Sequence, residues 1–401
     1  MVTLFARVYQ NVMRVFSYLL NFREPKLIKG DSSLIEIYGI ILKEKKTKPL
    51  IFTDEVLLNL HIFDQLFEIL DKKKVPYVVF SKIKPNPTID VVEEAFSLYK
   101  SASCDMLIAL GGGSVMDTAK ACGARVAKPN KPISKMKGVL KVNAKLPLLV
   151  AVPTTAGTGS ECTIAAVISD SKNHTKYAIN DPSLIPNYAI LDPSLTIKLP
   201  QKITSTTGMD ALTHAVEAYI GHANTKRTKD RAIKAVKLID ENLLECFETP
   251  NNITARMNMQ VASYYAGIAF TRAYVGYVHA LAHALGGLYN TPHGLANAIL
   301  LPYVLEAYSK KAHKKLAELY DVVFKTKGNL SIDTKANLFI SWIKDLNSKM
   351  GIPKYFAELK KEDIPSLAKH AYKEGVPLYP TPKIFKLKDF EDIYLKVCTK
   401  D

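Results

Sequence analysis

The sequence of 401 residues predicts two domains of different class: an α/β N-terminal domain built on a parallel sheet, then an all-α C-terminal domain. Three observations carry that expectation. Short apolar runs alternate with stretches of helical periodicity as far as Leu199-Pro200, the signature of βαβ units. A Gly-Gly-Gly-Ser turn closes the third of those runs. Beyond Pro200 the strand-like runs stop and amphipathic stretches follow one another.

Bulk properties narrow the function classes. A chain of this length has room for two cores, and 48% hydrophobic with 23% charged residues describes a globular protein. Cys104, Cys122, Cys162, Cys246 and Cys398 are scattered without a Cys-x-x-Cys pair, which places the protein in a reducing, cytoplasmic compartment. The formal charge is +16, but the basic runs are short: Lys43–Lys48 contains Glu44, and Asp71 precedes Lys72-Lys73-Lys74. No nucleic-acid-binding motif accompanies them, so dispersed solvated lysines are expected rather than a nucleic-acid partner. A basic envelope still attracts anionic cofactors.

Residues 1–24 form an amphipathic helical extension, with Leu4, Val8, Val12, Val15, Phe16 and Leu19 at helical spacing and Arg7 and Arg14 among them. The apolar run is too short and interrupted to be a transmembrane segment, and no cleavage site marks a signal peptide. Attachment to a membrane surface is one reading; a helix packed onto its own protein is the one favoured here.

Residues 25–199 make the α/β domain. Residues 48–54 read as a buried strand ending in Asp54, followed by helical spacing at Leu58, Ile62, Leu66 and Ile69. A second strand spans 75–80, a turn contains Asn86, and residues 90–102 return to helical period. The third strand, 106–110, runs into Gly111-Gly112-Gly113-Ser114, where glycine lets the backbone approach an anion at a helix N-terminus. A fourth strand, 148–152, leads to a loop of hydroxyls and glycines that includes Thr154, Thr155 and Thr158. Such a loop suits a nucleotide, although a structural turn would look similar. These alternations make a Rossmann-like sheet.

Residues 200–401 are read as helical, with stretches at 207–221, 225–247, 252–268, 276–289, 304–324 and 333–350. They hold the densest chemistry in the chain. Asp210 and His214 are four apart, as are His279 and His283, and His293 follows beside Pro292 and Gly294. Residues four apart share a helix face, and a carboxylate with several imidazoles is a ligand set for Fe²⁺ or Zn²⁺. An Asp/His pair at this spacing is also an ordinary surface contact.

The motifs Gly208-Met209-Asp210-Ala211-Leu212-Thr213-His214-Ala215, His279-Ala280-Leu281-Ala282-His283 and Pro292-His293-Gly294-Leu295-Ala296-Asn297 resemble the signatures of the iron-containing (group III) alcohol dehydrogenases, over roughly residues 25–395. The resemblance implies the architecture shared by that family and dehydroquinate synthase. It implies Asp210, His214, His279 and His293 as metal ligands, with His283 near the metal but off it and a candidate for proton relay. The Gly-rich turn ending at Asp117 is similar to the family's pyrophosphate-binding turn, and residues 154–161 resemble its second nucleotide loop. By position, Asn86, Thr163 and Lys176 are also implied to contact the dinucleotide, and Phe270, Ala165 and Val167 to line the substrate pocket. Residues 379–383 depart from the family, which usually has Thr-Asn-Pro-Arg where this chain reads Tyr-Pro-Thr-Pro-Lys.

The function so implied is metal-dependent, NAD(H)-linked oxidation of small primary alcohols or diols, or reduction of their aldehydes, in a homodimer. The metal is Fe²⁺, with Zn²⁺ as the alternative. The expected geometry puts dinucleotide and metal on either side of a cleft, the metal polarising the oxygen during hydride transfer. Asp54 bears on cofactor choice: a carboxylate at the end of the first strand accepts from ribose hydroxyls and repels a 2′-phosphate, although it would also cap a helix. Two rivals belong to other classes. A lyase resembling dehydroquinate synthase uses NAD only transiently, and a basic nucleic-acid binder would retain oligonucleotides at physiological salt.

Overall fold

The computed structural model of the protein describes residues 2–19, 22–170, 175–325 and 329–398. The chain divides into two compact units, one of Asn21–Leu199 with Asn251–Gln260, the other of Met1–Leu20, Pro200–Pro250 and Val261–Asp401. It opens with α1 (Val2–Leu19), which belongs to the second unit.

The first unit runs β1 (Lys26–Lys29), α2 (Glu36–Lys43), β2 (Pro49–Phe52), α3 (Glu55–Asn59), α4 (Asp64–Lys72), β3 (Val78–Phe80), α5 (Ile89–Ser101), β4 (Met106–Gly111), α6 (Gly113–Ala127), β5 (Gly138–Val139), β6 (Leu148–Pro153), β7 (Ala165–Asp170), β8 (Thr175–Asn180) and β9 (Tyr188–Leu191). Six strands make a parallel sheet in the order β1-β9-β6-β4-β2-β3. Period-2 alternation sends Ile51, Ile108 and Val150 to one face, against Ile37, Ile41, Phe63 and Leu66. Leu50, Phe52, Leu107, Ala109 and Leu149 go to the other, against Phe96, Val115, Met116 and Ala119. Helices on both faces are what a parallel sheet requires, and each buried side chain of this size contributes about 1.5–3 kcal/mol.

The four strands expected from the sequence are β2, β3, β4 and β6. β3 begins only at Val78, since Pro76 has no N–H to give a ladder. β1 and β9 are additions. β9 lies between Pro186 and Pro193, in a stretch whose prolines read as a boundary, and its pairing with β1 on one side and β6 on the other makes it a strand. A small second sheet, β5-β8-β7, is likewise additional. Because β2, β4 and β6 are adjacent and parallel, the residues following them share one edge, at the carboxyl ends where open α/β sheets bind ligands.

The second unit continues with α7 (Gln201–Ile220), α8 (Lys226–Glu248), α9 (Ile253–Ala273), α10 (Tyr277–Tyr289), α11 (His293–Tyr308), α12 (Lys310–Phe324), α13 (Ile332–Lys349), α14 (Ile364–Gly375) and α15 (Leu387–Val397). From Gly208 to Ile220 every residue of α7 is buried, as befits a helix surrounded by others. Gly208 permits this: a Cβ there would stand 2.2 Å from Leu243 Cδ1 of α8. The single helix expected at 304–324 is instead two, broken at Ser309, whose φ is 51°. The first of them starts as early as His293.

Helix α1 forms as expected but docks by its other face. Arg7 donates to Thr381 O at 2.8 Å and Pro382 O at 2.9 Å, and Gln10 Nε2 to Pro377 O at 3.0 Å and Tyr379 O at 2.8 Å. Leu4, Val8, Val12 and Val15, expected to pack inward, are exposed; the side chains of Phe16 and Leu19 lie outside those described. Carbonyls in a loop need donors, and the polar side of α1 supplies them. No helix among the described residues is long and apolar enough to cross a membrane.

Candidate active site

The dinucleotide residues expected from the sequence gather in the first unit. Gly111 ends β4 and Gly112 caps α6, whose first amides point outward as an anion site does. The second loop lies against this turn: Thr154 N donates to Gly111 O at 3.2 Å, and a Cβ on Gly113 would stand 2.9 Å from Thr158 Cγ2. Thr155 is the neighbour of Gly112. Ser114 opens the helix beside them. Asp54 follows β2 on the same edge, where it caps α3 by accepting from Leu57 N at 2.9 Å. Asn86 holds a left-handed φ of 61° and accepts from Lys176 Nζ at 2.9 Å, so these two also meet.

Asp117 and Thr163 sit beneath the loops. Asp117 accepts from Ser160 Oγ at 2.9 Å and Val167 N at 3.0 Å, and burial raises its carboxyl. Thr163 Oγ1 accepts from Lys120 Nζ at 3.0 Å. Lys120 escaped the sequence reading. Fully buried in α6, it also donates to Ser160 Oγ at 2.9 Å and to the carbonyls of Thr163 and Ala165, and burial lowers its amine to about 8. A lone lysine among small apolar residues of a helix was the available signal. Ala165 and Val167 are two apart on β7 and so face one side of it.

The metal-ligand candidates gather in the second unit. Asp210 and His214 lie one turn apart on α7, His279 is near the start of α10, and His293 opens α11. One ligand atom from each lies within 4.8 Å of all the others. His293 Nε2 is 3.5 Å from Asp210 Oδ1, and His214 Nδ1 is 4.0 Å from Asp210 Oδ2. Gly294 makes the approach possible, since a Cβ there would meet Thr206 O at 2.4 Å.

Comparison with known proteins bears on this constellation. Residues 25–193 match the profile of iron-containing alcohol dehydrogenases, and residues 204–398 that of the C-terminal domain of the same family. The chain belongs to the iron-containing alcohol dehydrogenase family. It is 34% identical over 374 residues to the NAD-dependent methanol dehydrogenase of Bacillus methanolicus, covering 93% of this chain and 98% of that one. It is 35% identical over 388 residues to a 1,3-propanediol dehydrogenase of Citrobacter freundii, covering 95% and 98%. A solved 1,3-propanediol oxidoreductase superposes with a TM-score of 0.91 at 32% identity, covering 94% and 100%. Membership makes the protein an alcohol dehydrogenase of the iron-containing type.

The surroundings of the four side chains in this alcohol dehydrogenase fit such an ion. Asp210 Oδ1, His279 Nε2 and His293 Nε2 all face the single amide nitrogen of Asn297, at 2.6, 3.2 and 3.1 Å. Three acceptors crowd one nitrogen that carries two protons, an arrangement short of positive charge. Burial, then the three neighbouring imidazoles, push His279 well below its ordinary pKa, and a neutral imidazole is the form that ligates. Its Nδ1 lies 2.6 Å from Glu217 Oε2. Glu217 also accepts from Gly276 N and Val278 N, each at 2.8 Å. Burial pushes this carboxyl up to about 8, but three donors address its two oxygens, the setting of a carboxylate. It fixes the His279 tautomer so that Nε2 faces the other ligands.

His283 stands on the open side, its side chain 40% exposed, with Nδ1 2.6 Å from Glu374 Oε1. Tyr379 donates to the same oxygen at 2.7 Å. Thus the segment that departs from the family motif supplies a hydroxyl to the partner of His283. Phe270 stacks on His214, ring centroids 4.2 Å apart, so it touches the ring of a candidate ligand. The structure does not bring it together with Ala165 and Val167 in one unit. Glu217 and Asn297 carry no motif of their own in the sequence, although Glu217 is seven residues from Asp210 and Asn297 four from His293, each on the helix face of a candidate ligand.

Proposed function

We propose that this alcohol dehydrogenase transfers hydride between NAD(H) and small primary alcohols or diols, or their aldehydes, at an ion held by Asp210, His214, His279 and His293. The observation that carries the reading is the convergence of one carboxylate and three imidazoles within 4.8 Å. When bound, the ion supplies Lewis acidity toward the alcohol or carbonyl oxygen and NAD carries the hydride. Glu217 orients His279. His283 Nε2 takes up the alcohol proton in oxidation and returns it in reduction, while Nδ1 stays on Glu374. Fe²⁺ is the proposed ion and Zn²⁺ the alternative, since affinity order favours zinc while availability decides.

For the dinucleotide we assign Asp54, Asn86, the 111–114 turn, Thr154, Thr155, Thr158 and Lys176 to contact, with Asp117 and Thr163 bracing the loops. Asp54 directs the choice toward NAD. Phe270 is assigned to substrate contact in the helical unit and Ala165 and Val167 to substrate contact in the α/β unit, and the short alcohols in the names of the relatives support a small substrate. Five buried free cysteines support a cytoplasmic setting. A homodimer rests on the family resemblance; light scattering at about twice the 44.5 kDa chain mass tests it.

The deciding experiment reconstitutes the protein with Fe²⁺ or Zn²⁺ alone and assays a panel of short aldehydes with NADH. Net NADH consumption that requires the ion is expected. A lyase would return its NAD unchanged, so turnover of a sugar phosphate without net NADH loss would overturn the reading.

A further inference from the structure

Helix α1 is bound to the protein by its polar side. Gln10 is 4% exposed and Ala6 fully buried, while Arg7 and Gln10 hold the carbonyls of residues 377–382. The apolar side faces away: Leu4 is 72% exposed, Phe5 64%, Val8 56%, Val12 61% and Val15 61%. At one residue per ~100° these five fall in a single arc of about 100°. A soluble helix of this kind turns such a stripe inward; a continuous exposed one marks an interaction surface.

The surroundings say what kind of surface it meets. Helix α1 has no acidic residue in its sequence, and Arg14 is exposed beside the stripe. In the loop that α1 grips, Pro380 O accepts from His222 N at 2.6 Å. His222 leads into α8, which begins Lys226-Arg227-Thr228-Lys229. Lys315 Nζ donates to Gly221 O at 2.6 Å, beside His222, so Lys315 lies in the same neighbourhood. The whole chain carries +16. A second copy would bring the same cations against these; an anionic surface would be drawn to them.

We propose that the outer face of α1 docks on an anionic lipid bilayer, its five apolar side chains at the headgroup–acyl boundary and the exposed Arg14 and Lys226 on lipid phosphates. An amphipathic helix fixed on its polar side is placed to lie in the interface, and none of the described helices can cross the bilayer. The inference is independent of the substrate and of the ligand assignment.

The test is co-sedimentation of the full-length, metal-loaded enzyme with vesicles of phosphatidylcholine alone or with about 30 mol% phosphatidylglycerol. Binding to the anionic vesicles is expected, weakening as salt rises and about tenfold or more weaker on phosphatidylcholine alone. The double variant Val8→Gln/Val12→Gln and the single variant Phe5→Ser are expected to lose about tenfold or more of that binding. Aldehyde reduction, metal content and solution mass should not change. Absence of wild-type binding to the anionic vesicles overturns the proposal, as does binding that survives both variants. So does a fall in solution mass in the variants, which would show that another copy of the chain covers the stripe.

Discussion

His279 owes its place to groups outside the candidate ligand set. Glu217, 1% exposed at its side chain, fastens Nδ1 and at the same time ties down the amides at the start of α10. Replacing it by Gln keeps the volume but puts an NH₂ where one donor is now received. Metal affinity is expected to fall about 10–100-fold, read by chelator competition rather than by turnover; unchanged affinity would remove Glu217 from this role. His279→Ala should lose both metal and activity. His283→Ala should keep its metal and slow turnover, and a His279 variant that elemental analysis finds fully loaded would refute the ligand assignment. The candidate ligands were legible because Asp210 and His214 are one helical turn apart and the motifs resemble a family. The partners of His283 were not: Glu374 lies 91 residues away in sequence, and no local pattern encodes that contact.

At the scale of elements, Asp54 shows how one side chain serves two purposes. It ends the run of β2 and caps α3 through Leu57 N, so the capping reading of the sequence is met in the structure, and the cofactor reading rests on its charge. The two separate by substitution. Asp54→Asn keeps the acceptor and loses the charge, and Asp54→Gly costs a cap only a few tenths of a kcal/mol. Both should admit NADP(H), eroding a preference for NAD(H) of at least about tenfold, roughly 1.4 kcal/mol, while the melting temperature barely moves. Equal use of both cofactors by the native protein would leave Asp54 as a cap alone. His293, flanked by Pro292 and Gly294, opens α11, because proline fits just before a helix and Gly294 is needed for contact with α7 rather than for a bend. Gly294→Ala is therefore expected to push α11 off Thr206 O, destabilise by about 1–3 kcal/mol and weaken metal binding by displacing His293. An alanine variant of native stability and metal affinity would contradict this.

Across the whole molecule, the alternation of runs and the end of strands after Pro200 made the two structural classes legible, whereas β1 and β9 depend on pairing with strands far along the chain. The same distance gives the metal site its mechanical weight. Its side chains come from α7, α10 and α11, separated by up to 83 residues between Asp210 and His293, so the unfolded chain presents them too far apart to bind an ion as one set. An ion that binds only the folded state stabilises it by about 2.7 kcal/mol at a free concentration of 100 times the dissociation constant. That gain belongs to the helical unit. The protein has one tryptophan, Trp342, and it lies in α13 of that unit, so its fluorescence reports unfolding where the ion binds. Removing metal with a chelator should lower the Trp342 midpoint by several degrees, and adding back Fe²⁺ or Zn²⁺ should restore it. Asp210→Asn, which keeps the shape and removes the charge, should bind metal more weakly and show a smaller difference with and without chelator. A midpoint that stays fixed while the released ion is measured in solution would mean that the four side chains are held in place by packing alone.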